Sequence, residues 1–337
     1  MSFTVTVTPS GYQFEVEPGE VLLDAALRQG IEIPYGCGEG SCGACLAPLI
    51  SGEVSYPGNE FPSALDDDSD GHCLPCTAMV ESNLTIEIEE LQSKNKVKKE
   101  ETEIDTIPCR VEKIEHLTSN VMRLILQLPK DQELNFTAGQ YLKLFLKDGT
   151  YRNFSIANAP HRKKYVELHI KNFGGSEFMK WIFEDMSEKS VLKIEAPYGN
   201  LSLNEKSNRP LLMIGGGTGF APLKSIIEYA LEMGFNREIF LFWGAISEEE
   251  LYLSELPEAW SKQYENFHYI PVLSSPVDSW SGKSGWVHEI VLHDIKNLSD
   301  FDIYMAGPPA MLRAAKESLL CEDISEDQLH YDPFEFS

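Results

Sequence analysis

The sequence predicts a multidomain chain of α+β and α/β class, and three observations carry that prediction. Residues 37–45 set Cys37, Cys42 and Cys45 among Gly38, Gly40, Ser41 and Gly43, within a region of short alternating strands. Residues 92–103 are charged and have no hydrophobic period, as expected of a linker. Residues 209–214 form an apolar strand that runs into Gly215-Gly216-Gly217-Thr218-Gly219 and then a helix, the opening of a doubly wound parallel sheet. The expected modules are therefore 1–91, 104–205 and 206–337, with the linker at 92–103.

Length and composition agree with this division. A chain of 337 residues suits two or three domains, and 42% hydrophobic with 24% charged residues is ordinary for a globular protein. No apolar run approaches the roughly 20 residues that span a bilayer. The start, Met1-Ser2-Phe3-Thr4-Val5-Thr6-Val7, alternates like a strand and lacks a secretory profile. A cytoplasmic protein without a membrane is the expectation. The net charge of −25 argues against nucleic acid, whose phosphates would repel it. It suits solubility, or a partner carrying basic patches.

In the first module, residues 3–8 and 11–16 alternate across Pro9-Ser10-Gly11 and read as a hairpin. A helix is expected over 21–28, ended by Gly30, with strands at 46–50 and 83–88 around the cysteine loop. The C-x4-C-x2-C spacing of Cys37, Cys42 and Cys45 is that of a plant-type [2Fe–2S] site, which needs a fourth thiolate downstream. Cys73 and Cys76 both qualify. Zinc would more naturally take two CxxC pairs or histidines, and a chain this long has little need of disulfide staples.

The second module opens with strands at 110–114, 121–128 and 141–146. Then comes Arg152-Asn153-Phe154-Ser155-Ile156-Ala157-Asn158, in which an arginine can grip phosphate and an aromatic plane can cover a ring. Gly174-Gly175-Ser176 leads into a helix expected over 177–186, and a glycine turn at a helix N-terminus suits an anion. Pro197-Tyr198-Gly199-Asn200-Leu201 makes a closing turn.

In the third module the glycine run continues through Phe220-Ala221-Pro222 into a helix over 223–233. Glycines there let backbone N–H groups approach a pyrophosphate. Further strands are expected at 238–243, 268–273 and 302–305. The last leads into Ala306-Gly307-Pro308-Pro309-Ala310-Met311 and a helix reaching residue 320. Gly282-Lys283-Ser284 is not a P-loop, because position 277 is valine where that motif requires glycine.

Taken together these motifs are similar to those of ferredoxin-fused, NADH-dependent reductases of the ferredoxin–NADP reductase superfamily, over nearly the whole chain. The resemblance implies an N-terminal β-grasp [2Fe–2S] ferredoxin, a six-stranded antiparallel flavin-binding β-barrel and a doubly wound parallel nicotinamide domain. It assigns the cluster to Cys37, Cys42, Cys45 and Cys76. It places Arg152 on the FAD pyrophosphate, Phe154 along the flavin, Ser155 at its N5 edge and Asn158 in the same box, with Gly174, Gly175 and Ser176 near the flavin phosphates. Gly215, Gly216, Gly217, Thr218, Gly219 and Pro222 would take the nicotinamide nucleotide, Gly307 and Pro308 would lie beside the nicotinamide, and Phe334 would approach the flavin. Three positions depart from the pattern: Phe154 replaces a tyrosine, Met179 a serine or threonine, and Ala306 a cysteine found in many members. No side chain is needed as acid or base. Glu248, Glu249 and Glu250, after the second strand, would disfavour a 2′-phosphate and so favour NADH. The implied partner is a protein electron acceptor. A pyridoxamine-phosphate-dependent dehydrase of CDP-deoxysugar synthesis is the first reading, through residues 152–160, 215–222, 280–288 and 332–334, and an oxygenase component is the alternative.

Overall fold

The computed structural model describes residues 2–31, 33–35, 40, 43–57, 62, 64–65, 71–88, 104–147, 149, 151–172, 177–322 and 324–331. The linker expected at 92–103 lies outside the described residues. The chain divides into two compact units, one over residues 1–101 and a larger one holding residues 102–172 and 177–333.

The smaller unit builds a mixed sheet from β1 (Phe3–Thr8), β2 (Tyr12–Val16), β3 (Ala47–Ser51), β5 (His72–Cys73) and β7 (Leu84–Glu87), in the order β2-β1-β7-β3-β5. Val54–Ser55 (β4) and Met79–Val80 (β6) pair separately. β1 runs antiparallel to β2 and parallel to β7, so the N-terminal hairpin sits beside the last strand. Helix α1 (Leu22–Arg28) buries Leu22, Leu23, Ala25 and Ala26 in a core with Val5, Val7, Phe14 and Ile86. Its first-turn amides, which no helix can satisfy internally, donate to the turn that carries Cys76: Leu22 N–H to Ala78 O at 2.9 Å and Leu23 N–H to Pro75 O at 2.9 Å.

In the larger unit, β8 (Asp105–His116), β9 (Val121–Gln127), β10 (Tyr141–Phe145), β11 (Tyr151–Ser155), β12 (Tyr165–Lys171) and β13 (Val191–Tyr198) make an antiparallel sheet ordered β11-β10-β13-β8-β9-β12. The two edge strands touch through a bridge between Ile156 and Leu168, so the barrel is nearly closed. Period-two alternation sends Met122, Leu124, Leu126, Leu142, Leu144, Val166, Leu168 and Ile170 into one core. The helix expected over 177–186 is an α-turn, α2 (Glu177–Lys180), continued by a π-turn at Trp181–Asp185. The wider turn brings the Met186 N–H to Trp181 O at 2.8 Å.

The remaining strands are β14 (Leu211–Gly216), β15 (Ile239–Ala245), β16 (Phe267–Leu273), β17 (Lys283–Ser284), β18 (Asp302–Ala306) and β19 (Leu329–Tyr331). They form an all-parallel sheet in the order β17-β16-β15-β14-β18-β19. The short edge strands β17 and β19 carry too little pattern to be read from sequence. Every residue of β14 and β18 is buried, as expected with helices on both faces. Helices α3 (Phe220–Glu232), α4 (Glu255–Gln263), α5 (Val287–Asp294) and α6 (Pro309–Leu320) supply that cover, and Val291, Leu312 and Leu319 pack with Leu212, Ile214 and Ile303. The order reverses at β14, so the switch point lies between β14 and β18, at their carboxyl ends.

The amino ends of these strands are fastened differently. Arg237, only 8% exposed, pairs with the buried Asp302 and donates to the carbonyls of Arg209 and, at 2.9 Å, Asn204. Removing one partner of such a pair leaves a buried charge alone, at a cost of about 3–5 kcal/mol. Asp302→Ala should therefore move the parallel-sheet domain's urea transition to clearly lower concentration. Glu112→Ala, at the exposed Arg110–Glu112 pair, should leave unfolding almost unmoved, because such pairs contribute at most about 1 kcal/mol.

Candidate cofactor sites

At the switch point two loops meet backbone to backbone. A Cβ on Gly216 would lie 2.5 Å from Met311 Sδ and 3.0 Å from Pro308 Cδ, and one on Gly219 would fall within the Ala306 carbonyl. At Gly219 the obstacle is backbone, so only glycine fits there; at Gly216 it is the Met311 and Pro308 side chains. The loop after β14 makes a 3-10 turn at Gly217–Gly219 and enters α3 directly. Pro222 sits in the first turn of α3, where a missing N–H leaves no intrahelical bond unmade. Trp243 of β15 donates its indole N–H to Gly217 O at 3.0 Å, and its ring stacks on Phe220 at 4.1 Å. Gly215, Gly216, Gly217, Thr218, Gly219, Pro222, Gly307 and Pro308 are thus gathered in one place, across the ends of adjacent strands. The cradle, free of side chains and fed by the amino end of a helix, fits a dinucleotide pyrophosphate.

Arg152 and Phe154 share one side of β11. The Arg152 guanidinium lies over the Phe178 ring at 5.3 Å, and its Nη1 donates to Tyr151 O at 2.9 Å. Its Nε is buried and has no partner among the described residues, so a strong donor is left needing an acceptor. A flavin phosphate answers that need. Phe154 is 9% exposed and belongs to the barrel core, 6.3 Å from Phe178. Ser155 is buried on the opposite side. Asn158, expected in the cofactor box, is fully buried and its amide is spent on the barrel backbone. Its Oδ1 accepts the Glu167 N–H at 2.8 Å, while Nδ2 donates to the carbonyls of Arg162 and Tyr165, both at 3.3 Å. It shapes the turn between β11 and β12. Gly174, Gly175, Ser176 and Phe334 lie outside the described residues.

A row of polar residues was not singled out from sequence. Glu167, His169 and Lys171 alternate along β12 on the side away from the barrel core, and each meets the nicotinamide domain. Glu167 pairs with Lys224 of α3 at 3.3 Å, His169 hydrogen-bonds Tyr252 at 3.0 Å, and Lys171 pairs with Glu250 at 3.4 Å. Burial pushes the Glu167 carboxyl upward, but the His169 hydrogen bond and the Lys224 charge outweigh it and bring the pKa down to about 2. Burial lowers His169 below its ordinary value, partly offset by Glu167. The period-two spacing was visible in the sequence. Its partners were not.

Of the cysteines assigned to the cluster, Cys37 and Cys42 lie outside the described residues. Cys45 and Cys76 are buried, as is Cys73 on β5, which pairs with Ala47. Tyr56, whose phenol burial raises to about 12, also feels all three thiols, so they share one neighbourhood. Among the described residues alone no three ligands converge as a metal site. Soft thiols on glycine-rich loops fit an iron–sulfur cluster in donor chemistry.

Comparison with known proteins covers the same ground. Family models match residues 5–81 as a 2Fe-2S iron-sulfur cluster binding domain, 108–203 as an oxidoreductase FAD-binding domain and 213–317 as an oxidoreductase NAD-binding domain. The CDP-6-deoxy-L-threo-D-glycero-4-hexulose-3-dehydrase reductase of Yersinia pestis is 34% identical over 334 residues, 99% of both chains. The phenol hydroxylase P5 protein of Acinetobacter pittii is 34% identical over 341 residues, 99% of this chain and 95% of its own. Among solved structures, an Amycolatopsis cytochrome P450 reductase covers 98% of both chains at 27% identity with a TM-score of 0.64. With the cluster, flavin and nicotinamide modules in this order along one chain, the protein belongs to the ferredoxin-fused reductases of the ferredoxin–NADP reductase superfamily and is an FAD- and [2Fe–2S]-dependent oxidoreductase.

Proposed function

We propose that the protein takes electrons from NADH through FAD and the [2Fe–2S] cluster to an external protein, a pyridoxamine-phosphate-dependent 3-dehydrase of CDP-deoxysugar biosynthesis in the cytoplasm. The observation that carries the acceptor is the end-to-end match to the Yersinia dehydrase reductase, 99% of both chains. Bound flavin accepts a hydride and passes electrons on singly, and the cluster carries them one at a time. The protein's part is to bind and orient. The glycine cradle and Gly307 hold the nucleotide at the ends of β14 and β18, Arg152 grips the flavin phosphate, and Ser155 lines the flavin edge. Cys37, Cys42, Cys45 and Cys76 hold the cluster. A second reading, the reductase component of an oxygenase, is favoured by the phenol hydroxylase P5 match. Reconstitution decides between them. Dehydrase turnover that needs both NADH and this protein is the expected result, and turnover of a phenol hydroxylase oxygenase instead would move the protein to the second class.

The preference for NADH rests on the segment at the carboxyl end of β15. Its Ser247 is followed by Glu248 and Glu249, both exposed, while Glu250 is already paired with Lys171. Neither Glu248 nor Glu249 has an ion-pair partner among the described residues, and both can repel a 2′-phosphate. The expected kcat/KM ratio favours NADH by at least about tenfold, equivalent to about 1.4 kcal/mol. Glu248→Ser with Glu249→Arg should narrow it. A wild-type preference for NADPH in steady-state kinetics would refute this assignment.

The cluster ligands give a third expectation. Cys76→Ser should bleach the visible iron–sulfur absorbance and lower the iron content. Cys73→Ser should keep both, because that thiol is a packed strand residue. The opposite pattern would exchange the two roles.

A further inference from the structure

Helix α3 leaves the glycine cradle and lies against the barrel's β11–β12 turn, and one of its residues joins the two. Lys224, five positions after Gly219, is 3% exposed. Its ammonium donates to Ala157 O at 3.1 Å and Glu167 Oε2 at 3.3 Å, both on the barrel, and forms an ion pair with Glu228 Oε1 of its own helix at 2.9 Å. Ala157 is the second residue past Ser155. A single side chain therefore spans from the flavin box to the helix that the nucleotide loop begins. We propose that Lys224 is a positioning residue for hydride transfer, fixing the glycine cradle against the flavin box. The proposal rests on reading those two segments as the cofactor sites.

Stability alone does not account for a lysine here. The residue stands among Leu223, Ile226 and Ile227, all fully buried. Replacing a buried ionic group by an apolar one of similar volume is often neutral or stabilising, and the best-attested use of such groups is to fix register. Apolar packing alone tolerates a small slide of the helix along the barrel, whereas two directed hydrogen bonds from one ammonium to the barrel do not. Neighbouring groups fasten the same helix face. Ser225 Oγ donates to Asn158 O at 2.8 Å, and Arg162 reaches Glu232 at 2.7 Å and Glu228 at 3.9 Å. A second strap runs from His169 through Tyr252, which stands edge-on to Trp243 at 5.2 Å, to the indole N–H that holds Gly217 O. Hydride transfer needs reacting atoms within roughly 3–3.5 Å, and a misplacement of about 1 Å can cost about a hundredfold.

Lys224→Met in the FAD- and cluster-loaded protein tests this. Flavin reduction at saturating NADH, followed by rapid mixing, should slow by about tenfold to a hundredfold. Bound FAD and the dissociation constant for NADH should stay unchanged, and the long-wavelength charge-transfer absorbance formed with the nucleotide should weaken. Hydrogen exchange, measured without nucleotide, should quicken at the amides of residues 156–162 and 217–224. If Lys224→Met fails to fold, Lys224→Met with Glu167→Gln restores charge balance, and its flavin reduction should still be slow. Normal reduction in either variant, with only a lower Tm, would overturn the proposal and leave the lysine a stabilising group. Failure of wild-type protein to reduce its flavin with NADH would instead overturn the functional reading beneath it.

Discussion

The structure of the larger unit depends on the close approach of two loop backbones. β14 and β18 are parallel neighbours, and their outgoing loops leave the same end of the sheet. Gly219 abuts the Ala306 carbonyl, and Gly216 meets Pro308 and Met311. Glycine at these positions leaves backbone amides within reach of a ligand, which is the requirement of a pyrophosphate site. The same contact fixes where α3 begins, and so which of its residues face the barrel. Lys224 and Ser225, on the first turns of that helix, reach the carbonyls of Ala157 and Asn158. The alanine at 306 suits this arrangement, since its carbonyl rather than its side chain is what the facing loop packs upon.

That helix meets the barrel through charge, in a protein whose net charge is −25. The interface does not share the excess. Glu167 and Glu228 are balanced by Lys224 and Arg162, and His169 is held toward its neutral form by burial. A balanced set is what burial demands, because an uncompensated carboxylate in this position would be driven to protonate or to admit water. The directed bonds then contribute geometry more than net stability.

The parts legible in the sequence are those whose chemistry lies within one short segment. Cys37 to Cys45, Arg152 to Ser155 and Gly215 to Pro222 each place fixed residue types at fixed spacing, so the motif can be read without knowing what lies across from it. The interdomain network is of another kind. Glu167 and Lys224 are 57 positions apart and His169 and Tyr252 are 83 apart, and neither half is unusual by itself. The same blindness affected single residues inside the motifs. Asn158 has the right place in the box, yet its amide is committed to Glu167, Arg162 and Tyr165, partners that only the turn brings near. Glu250 stands beside two similar carboxylates in sequence, but Lys171 neutralises it from another domain.

The division into compact units follows the same physical demand. Moving a hydride requires two bound groups in contact, so the domains that bind them must hold a common geometry. The barrel and the nicotinamide domain accordingly form one unit, laced by Lys224, Ser225, Tyr252 and Glu250. In the smaller unit, a core running from Val5 to Ile88 holds the turn that carries Cys76, tied to α1 by helix amides that would otherwise lack acceptors. The chain therefore places buried ion pairs between the barrel and the nicotinamide domain, where bond-making chemistry needs contact.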